Sequence, residues 1–174
     1  MDIATLHIES ATERDVPVIL QMIKGLAEYE QLGPHVTATE ESLRSSLFGE
    51  RRDAEVVIAY EGTTPVGFAL FFHNYSTFLA QRGLYLEDLF VLPEWRRRGV
   101  GKMLLTYLAQ VAVDRKCGRL EWAVLDWNAP AMRFYKSLGA RPMDDWTVFR
   151  LTGDALSDLA QTGKSEVRSL KSEV

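Results

Sequence analysis

Only one cysteine, Cys117, stands in the 174 residues, so an internal disulfide is excluded and a thiolate-ligated metal site has no second sulfur to draw on. No apolar run approaches the roughly 18 residues of a membrane helix. The opening residues MDIAT lack a basic region followed by an apolar core, so no secretory leader is read there and a cytoplasmic location is expected. Basic charge is also short. With 20 Lys and Arg against 24 Asp and Glu, the net charge of −4 has the wrong sign for a nucleic-acid face, which works by releasing counterions from phosphates. His7, His35 and His73 have neither mutual spacing nor neighbours that suggest ligation, so no metal is expected. What remains, 47% hydrophobic and 25% charged, is an ordinary globular composition. The length suits one domain with its own core, read as residues 1–160, followed by a polar tail over residues 161–174.

The chain alternates strand-like and helix-like patterns. Residues 6–10 read as a short strand. A helix follows, with Thr12 or Asp15 as cap, Pro17 in its first turn, and Val16, Ile19, Leu20, Ile23, Leu26 and Ala27 at spacings of three and four; it ends near Tyr29 and Glu30. Thr39 and Gly49 bracket a second helix over residues 40–48. Residues 55–60 and 66–72 read as a hairpin with a loop of moderate length, and residues 74–83 as a further loop. Then come a strand over residues 84–92, a helix over 99–116, a strand over 120–125, a helix over 128–138 stopped by Gly139, and a last strand over 147–151. The fold class is therefore α/β in the mixed, α+β sense. Past Thr152 the sequence turns polar, and KSEV occurs at residues 164–167 and again at 171–174, too few copies for a coiled coil and expected to be a solvated tail.

The stretch EDLFVLPEWRRRGVGKMLL, residues 87–105, is the one around which the rest is arranged: a strand, a stop at Pro93, a basic glycine turn and the start of a helix. A turn at that place sits on a helix N-terminus, where unpaired N–H groups and the positive end of the dipole favour an anion, and glycines let a phosphate come close. A P-loop is excluded, because Gly101-Lys102 is followed by Met103 and the earlier glycine is missing. A dinucleotide fingerprint would need a third glycine.

The pattern Arg96-x-x-Gly99-x-Gly101 after the strand and Pro93-Glu94-Trp95 instead resembles the acetyl-CoA pyrophosphate loop of the GCN5-related N-acetyltransferases (GNAT). LAEYE at residues 26–30, YLEDLFV at 85–91, AVLDWN at 123–128 and FYKSLGA at 134–140 resemble the diamine and thialysine acetyltransferase branch of that superfamily, the thialysine type more than the spermidine/spermine type. The segment before the last strand, Asp144-Asp145-Trp146, is shorter than that branch's. The resemblance implies a mostly antiparallel twisted sheet flanked by helices, with strands splayed at the cofactor. It implies acetyl-CoA as cosubstrate, its pyrophosphate on the turn of Arg96, Arg97, Arg98, Gly99, Val100, Gly101 and Lys102. The pantetheine arm would lie along Leu89, Phe90 and Val91, with Asn128 and Ala131 also at the cofactor. As a helix N-cap, Asn128 has an equally good structural role.

Transfer to an amine needs a neutral nitrogen, and an aliphatic amine with a pKa of about 10.4 is protonated at pH 7. A carboxylate close by is useful as a base, directly or through water, and the resemblance gives that part to Glu87. Strand alternation puts Asp88 on the opposite face. Collapse of the tetrahedral intermediate expels a thiolate, and Tyr135 matches the family's proton donor. Tyr29, Glu30, Glu87, Glu121, Trp122 and Ala123 match positions lining the amine site, and acidic and aromatic groups suit a cation. Cys117 lies outside all of these segments, so direct transfer in a ternary complex is expected rather than an acetyl-enzyme. The expected partner is a small-molecule amine, and the resemblance also suggests a homodimer. Two alternatives stay open: acetylation of protein lysines or N-termini, which would need an open groove, and a non-catalytic acetyl-CoA sensor, which would need only the cofactor loop.

Overall fold

The computed structural model describes residues 6–172, with side chains described through residue 162; MDIAT and the side chains of both KSEV copies lie outside the described residues. The chain divides after Asn128 into two compact units. The first contains β1 (Leu6–Ser10), α1 (Val16–Tyr29), α2 (Glu40–Phe48), β2 (Glu55–Glu61), β3 (Thr64–Ser76), β4 (Gln81–Val91), α3 (Val100–Asp114) and β5 (Leu120–Trp122). Its five strands form one sheet in the order β1-β2-β3-β4-β5, antiparallel except for the parallel β4–β5 pair. This is the mixed, mostly antiparallel sheet flanked by helices that the sequence predicts.

Strand alternation sorts the core into two layers. Val56, Ile58, Phe68 and Phe90 cluster with Val16, Ile19 and Met22 of α1 and Leu43 and Leu47 of α2. Val57, Ala59, Ala69 and Phe71, one residue out of phase, are buried too, and Val100, Leu104, Leu105, Leu108 and Ala112 form the buried stripe of α3. α1 begins where the sequence places it. Thr12 donates its N–H and hydroxyl to the Asp15 carboxylate, at 2.7 and 2.8 Å, in the turn ahead of the helix, and Pro17 occupies the first helical turn. In α2, Thr39 Oγ1 accepts the Ser42 N–H at 3.1 Å, and Gly49 follows the last residue. Gly25 brings α1 close to the sheet: a Cβ there would stand 2.9 Å from the Phe90 ring.

Several element bounds differ from expectation. The β2–β3 connection is a tight turn, with Gly62 at φ 58°, and the register shift beside Tyr60 lets Pro65 join β3, since a bulge tolerates a residue without an N–H. β3 and β4 run on through most of the stretch read as a loop, pairing as far as Ser76 with Gln81. Polar residues such as Asn74 and Arg82 conceal that extension from a reading based on apolar alternation. β5 stops at Trp122, so residues 123–125 extend no ladder.

The second unit holds α4 (Ala129–Ser137) and α5 (Gly153–Ser172). The strand expected over residues 147–151 is absent: these residues form no strand, and Val148 and Phe149 are 86% and 92% exposed. A strand needs a ladder partner, and its own unit offers only helices; β-propensity measures fit to a half-buried pleated surface, not an intrinsic shape. The expected solvated tail is helical through Ser172, with Ala155, Leu156, Leu159 and Ala160 at helical spacing in its described part.

Candidate active site

β4 and β5 part at the organising stretch. Their parallel ladder runs from Leu84 with Leu120 to Leu86 with Trp122 and ends there, while β4 stays paired to β3 as far as Val91. The Leu92 N–H donates to the Val66 carbonyl at 3.0 Å, so by antiparallel alternation Phe90 also turns its peptide groups toward β3. Leu89 and Val91 then present theirs to the side that β5 has left. Arg96 Nε takes the Val91 carbonyl at 3.0 Å. The Leu89 peptide and the Val91 N–H remain as a short strand edge suited to a ligand that carries amides.

At the end of that edge the chain turns into α3. Arg97 has φ 63° and Gly99 φ 88°, both left-handed, and Gly99 is the N-cap of α3 without a side-chain cap bond. The first-turn N–H groups of a fifteen-residue helix are therefore turned outward with no side chain on them, the arrangement that binds anions. Gly101 is not demanded by packing. A Cβ there would meet only Val91 Cγ2, at 3.9 Å, and its backbone is ordinary helix. Its missing side chain leaves room beside the helix start, as a pyrophosphate lying on the backbone requires. The basic run is divided: Arg96 lies 4.4 Å above the Tyr29 ring and 5.6 Å from that of Phe90, and Arg98 lies 4.7 Å over Trp95.

The end of α1 comes to the segment before α4. Tyr29 Oη donates to Asn128 Oδ1 at 3.3 Å, and its ring is 5.8 Å from that of Trp127. Asn128 is only 8% exposed and its N–H closes a turn on the Leu125 carbonyl at 2.8 Å. Tyr29, Phe90, Arg96, Trp127 and Asn128 thus form one cluster.

The acidic residues are arranged differently from the sequence reading. A register shift leaves Glu87 without a partner: Leu86 faces Phe71 and Asp88 faces Leu70. Across this β-bulge, simple alternation no longer fixes the face of Glu87. Asp88 now shares a face with Phe90 and Leu70, the face that α1 covers. Burial, then the charges of Glu87 and Glu30, push its carboxyl up to about 6. Glu87 itself is exposed. Burial also raises Glu30 above the ordinary carboxylate range. Glu121 is engaged elsewhere: it accepts from Asn74 Nδ2 at 2.9 Å and pairs with Arg119 Nε at 2.8 Å, so much of its charge is compensated. Trp122 ends β5 opposite Leu86, and Ala123 follows it.

Ala131 and Tyr135 lie on α4, one turn apart and so on one face. The helix closes on Tyr135, whose carbonyl accepts the N–H of Leu138 at 3.0 Å and of Ala140 at 3.2 Å, across Gly139 at φ 89°. The Phe134 ring packs 5.5 Å from that of Tyr135. Asp88, Asn74 and Arg119 are the neighbours that sequence reasoning missed. Only a paired register reveals a bulge, and two adjacent acids in a strand are not otherwise marked.

Among the described residues no group of acidic, histidine or cysteine side chains could hold a metal ion, and no helix is long and apolar enough to cross a membrane. Residues 22–140 match the model of the Acetyltransferase (GNAT) family. The chain is 40% identical over 168 residues to a thialysine N-epsilon-acetyltransferase of Sus scrofa, covering 90% of this chain and 98% of that one. It is 35% identical to an L-ornithine N5-acetyltransferase of Arabidopsis thaliana, with 86% of each covered. An integron cassette protein from the mobile metagenome of V. cholerae superposes with a TM-score of 0.76 at 28% identity, over 89% of this chain and 97% of that one. Sequence and fold agree: the chain belongs to the Acetyltransferase (GNAT) family and is an N-acetyltransferase related to the thialysine enzymes.

Proposed function

We propose that this enzyme transfers the acetyl group of acetyl-CoA directly to a small cationic amine of the thialysine, diamine or polyamine kind, in a ternary complex. The observation that carries the reading is the parting of β4 from β5 at Leu86, followed by the uncapped start of α3. Together they offer amide groups to a pantetheine arm and N–H groups to a pyrophosphate. In this reading Leu89, Phe90 and Val91 line the arm. Arg97, Arg98, Gly99, Val100, Gly101 and Lys102 surround the pyrophosphate, with Asn128 and Ala131 beside the cofactor and Arg96 bracing the Val91 end of the edge.

The amine is held by Tyr29, Glu30, Glu87, Trp122 and Ala123, with Glu121 supporting the wall through its bonds to Asn74 and Arg119. The ammonium loses its proton to a carboxylate, and the free nitrogen attacks the thioester carbonyl. The intermediate expels a thiolate that takes its proton from Tyr135. What supports a cationic substrate is the gathering of Glu30, Glu87 and Asp88 in a protein of net charge −4, together with the names of its relatives. The same reading extends to one acetyltransferase domain over residues 1–160, to the cytoplasm and to a homodimer. Exposed Trp146, Val148 and Phe149 support the dimer.

The test is an amine panel with acetyl-CoA, scored by release of free CoA: thialysine, ornithine, 1,3-diaminopropane, spermidine and a neutral-tailed monoamine. Turnover of the cationic amines is expected. No CoA release from any of them, with a lysine peptide turned over instead, would reject the small-amine reading.

A further inference from the structure

Asn74 of β3 and Glu121 of β5 belong to strands that are not neighbours in the sheet, since β4 lies between them. Their side chains meet nonetheless. Asn74 Nδ2 donates to Glu121 Oε2 at 2.9 Å, and Arg119 Nε stands 2.8 Å from the same oxygen. The register explains the meeting: Asn74 faces Gly83, and Tyr85, two positions on from Gly83, faces Glu121, so Asn74 and Glu121 lie on one face of the sheet. The Asn74 amide crosses β4 above Gly83. A Cβ at that glycine would overlap Asn74 Oδ1 and stand 3.1 Å from Arg119 Cγ, so the crossing is open only because no side chain is there.

The link stands where the two strands part. β5 is held to β4 by a parallel ladder of three residue pairs, of which Tyr85 with Glu121 is the middle one and Leu86 with Trp122 the last. Beyond that rung the edge of Leu89 and Val91 is uncovered, and among the described residues no strand flanks β5 on its other side. So short a parallel ladder is weak by itself. The link across β4 is also built at a cost: Asn74 Oδ1 and Arg119 Nε are buried with no aligned hydrogen-bond partner among the described residues, and apolar side chains would fill the space without that penalty. What the polar link supplies is a fixed length and direction, because a donor on a carboxylate holds its geometry where an apolar contact slides.

We propose that Asn74, Glu121 and Arg119 are positioning residues for the acyl donor: together they fix where β5 leaves β4, and so the width of the slot that receives the pantetheine arm, with Gly83 as the opening they need. This rests on the reading of the site given above. Were the ladder to fray from Trp122 back towards Leu120, the slot would widen and its far wall would wander. A link at Glu121 stops the fraying one rung from the opening. The charge of Glu121 is then taken up by Asn74 and Arg119 and holds a strand in place.

Calorimetry with two ligands separates this role from a general loss of stability. Acetyl-CoA carries the pantetheine arm, whereas ADP offers a pyrophosphate to the start of α3 without it. Asn74→Ala should weaken acetyl-CoA by roughly three- to tenfold, the weight of one hydrogen bond, and leave ADP binding unchanged. Gly83→Ala should do the same by displacing the Asn74 amide, and in an Asn74→Ala background it should add little, because nothing is left to displace. Glu121→Ala should match Asn74→Ala, while Glu121→Gln, which keeps an oxygen for the Asn74 donor, should recover most of the affinity. Amide hydrogen exchange in β5, read without any ligand, should quicken in Asn74→Ala and Glu121→Ala. Acetyl-CoA and ADP weakened alike, additive losses from Asn74→Ala and Gly83→Ala, or unchanged acetyl-CoA affinity in Asn74→Ala would each overturn the proposal. If Gly83→Ala fails to fold, Asn74→Ala decides the matter. A wild type that binds no acetyl-CoA sinks the cofactor reading and this role with it, whereas a wild type that binds it and an Asn74→Ala variant that binds it equally well sink the link alone.

Discussion

Tyr29 donates its hydroxyl to Asn128 Oδ1 at 3.3 Å, tying the last turn of α1 to the residue just ahead of α4, ninety-nine positions on. One residue matched to the amine site therefore positions one matched to the cofactor. The same tyrosine ring lies under the Arg96 guanidinium, which in turn holds the Val91 carbonyl. Tyr29→Phe keeps both ring contacts and removes only the hydrogen bond, a loss of about 0.5–1.5 kcal/mol. Thermal unfolding should show a drop of a few degrees, and calorimetry a weaker acetyl-CoA affinity because Asn128 loses the bond that ties it to α1. An unchanged affinity would mean that Asn128 serves the fold alone.

Gly101 separates ligand from fold. Since an added Cβ meets only Val91 Cγ2 at 3.9 Å, Gly101→Ala should leave the melting temperature unchanged or raised, alanine being the better helix former by about 1 kcal/mol. Gly101→Val adds bulk on the same side. Acetyl-CoA affinity should fall in the order wild type, Ala variant, Val variant, by roughly tenfold or about 1.4 kcal/mol at the last step. Equal affinities by calorimetry would remove the pyrophosphate from this helix start.

Most of the fold was legible in the sequence because its elements announce themselves locally. Pro17, the Thr12–Asp15 pair, Thr39 and Gly49 mark helix ends, and the strands β2 and β4 carry enough Val, Ile, Leu and Phe to be recognised. The glycine turn ahead of α3 was legible because glycine has a fixed meaning at a helix start. What failed was everything that depends on pairing. The extension of β3 to Ser76, the loss of a strand at residues 147–151 and the bulge at Glu87 are properties of a register, which no single segment contains. The partners of Glu121 were hidden for the same reason: Asn74 and Arg119 come from β3 and from the loop ahead of β5.

Tyr135→Phe isolates the proposed acid. The ring that packs beside Phe134 is kept, and the helix closure on the Tyr135 carbonyl belongs to the backbone, so both survive the substitution. kcat should fall by about 10²- to 10⁴-fold, the usual weight of general acid–base catalysis. Wild-type turnover across the pH range would make Tyr135 a packing residue.

Asp88 should also cost the protein stability at neutral pH. Its carboxyl binds a proton more tightly when folded, about 6 against an ordinary 3.8, so between these values the folded state holds more protons than the unfolded one. Stability therefore falls as pH rises through this window and stays lower above it. Asp88→Asn, which mimics the protonated form, should stabilise the protein at pH 7.5 by up to about 2–3 kcal/mol and change little at pH 3.5. Melting curves at the two pH values make the comparison. A variant equally destabilised at both would show that Asp88 is ionised and well solvated in the fold.

Glu30 closes the helix whose tyrosine lines the proposed amine site, and burial raises its carboxyl above the ordinary range with no basic group acting on it. A carboxylate in that condition gains most from a distal ammonium of the substrate, because the incoming charge replaces water that burial has removed. Glu30→Gln should then raise KM several-fold for thialysine, 1,3-diaminopropane and spermidine, and leave a neutral-tailed monoamine nearly unchanged, with kcat altered little in each case. Acid acts as the mutation does: as pH falls, Glu30 protonates sooner than an exposed glutamate, so the KM of the amines with a second ammonium should climb before that of the monoamine. Added salt should narrow the difference between the amines, since a partly exposed pair is screened over a Debye length of about 8 Å at physiological ionic strength. If Glu30→Gln treats all four amines alike at both low and high salt, the acidic end of α1 does not read the substrate's second charge, and selectivity must come from the pocket's shape.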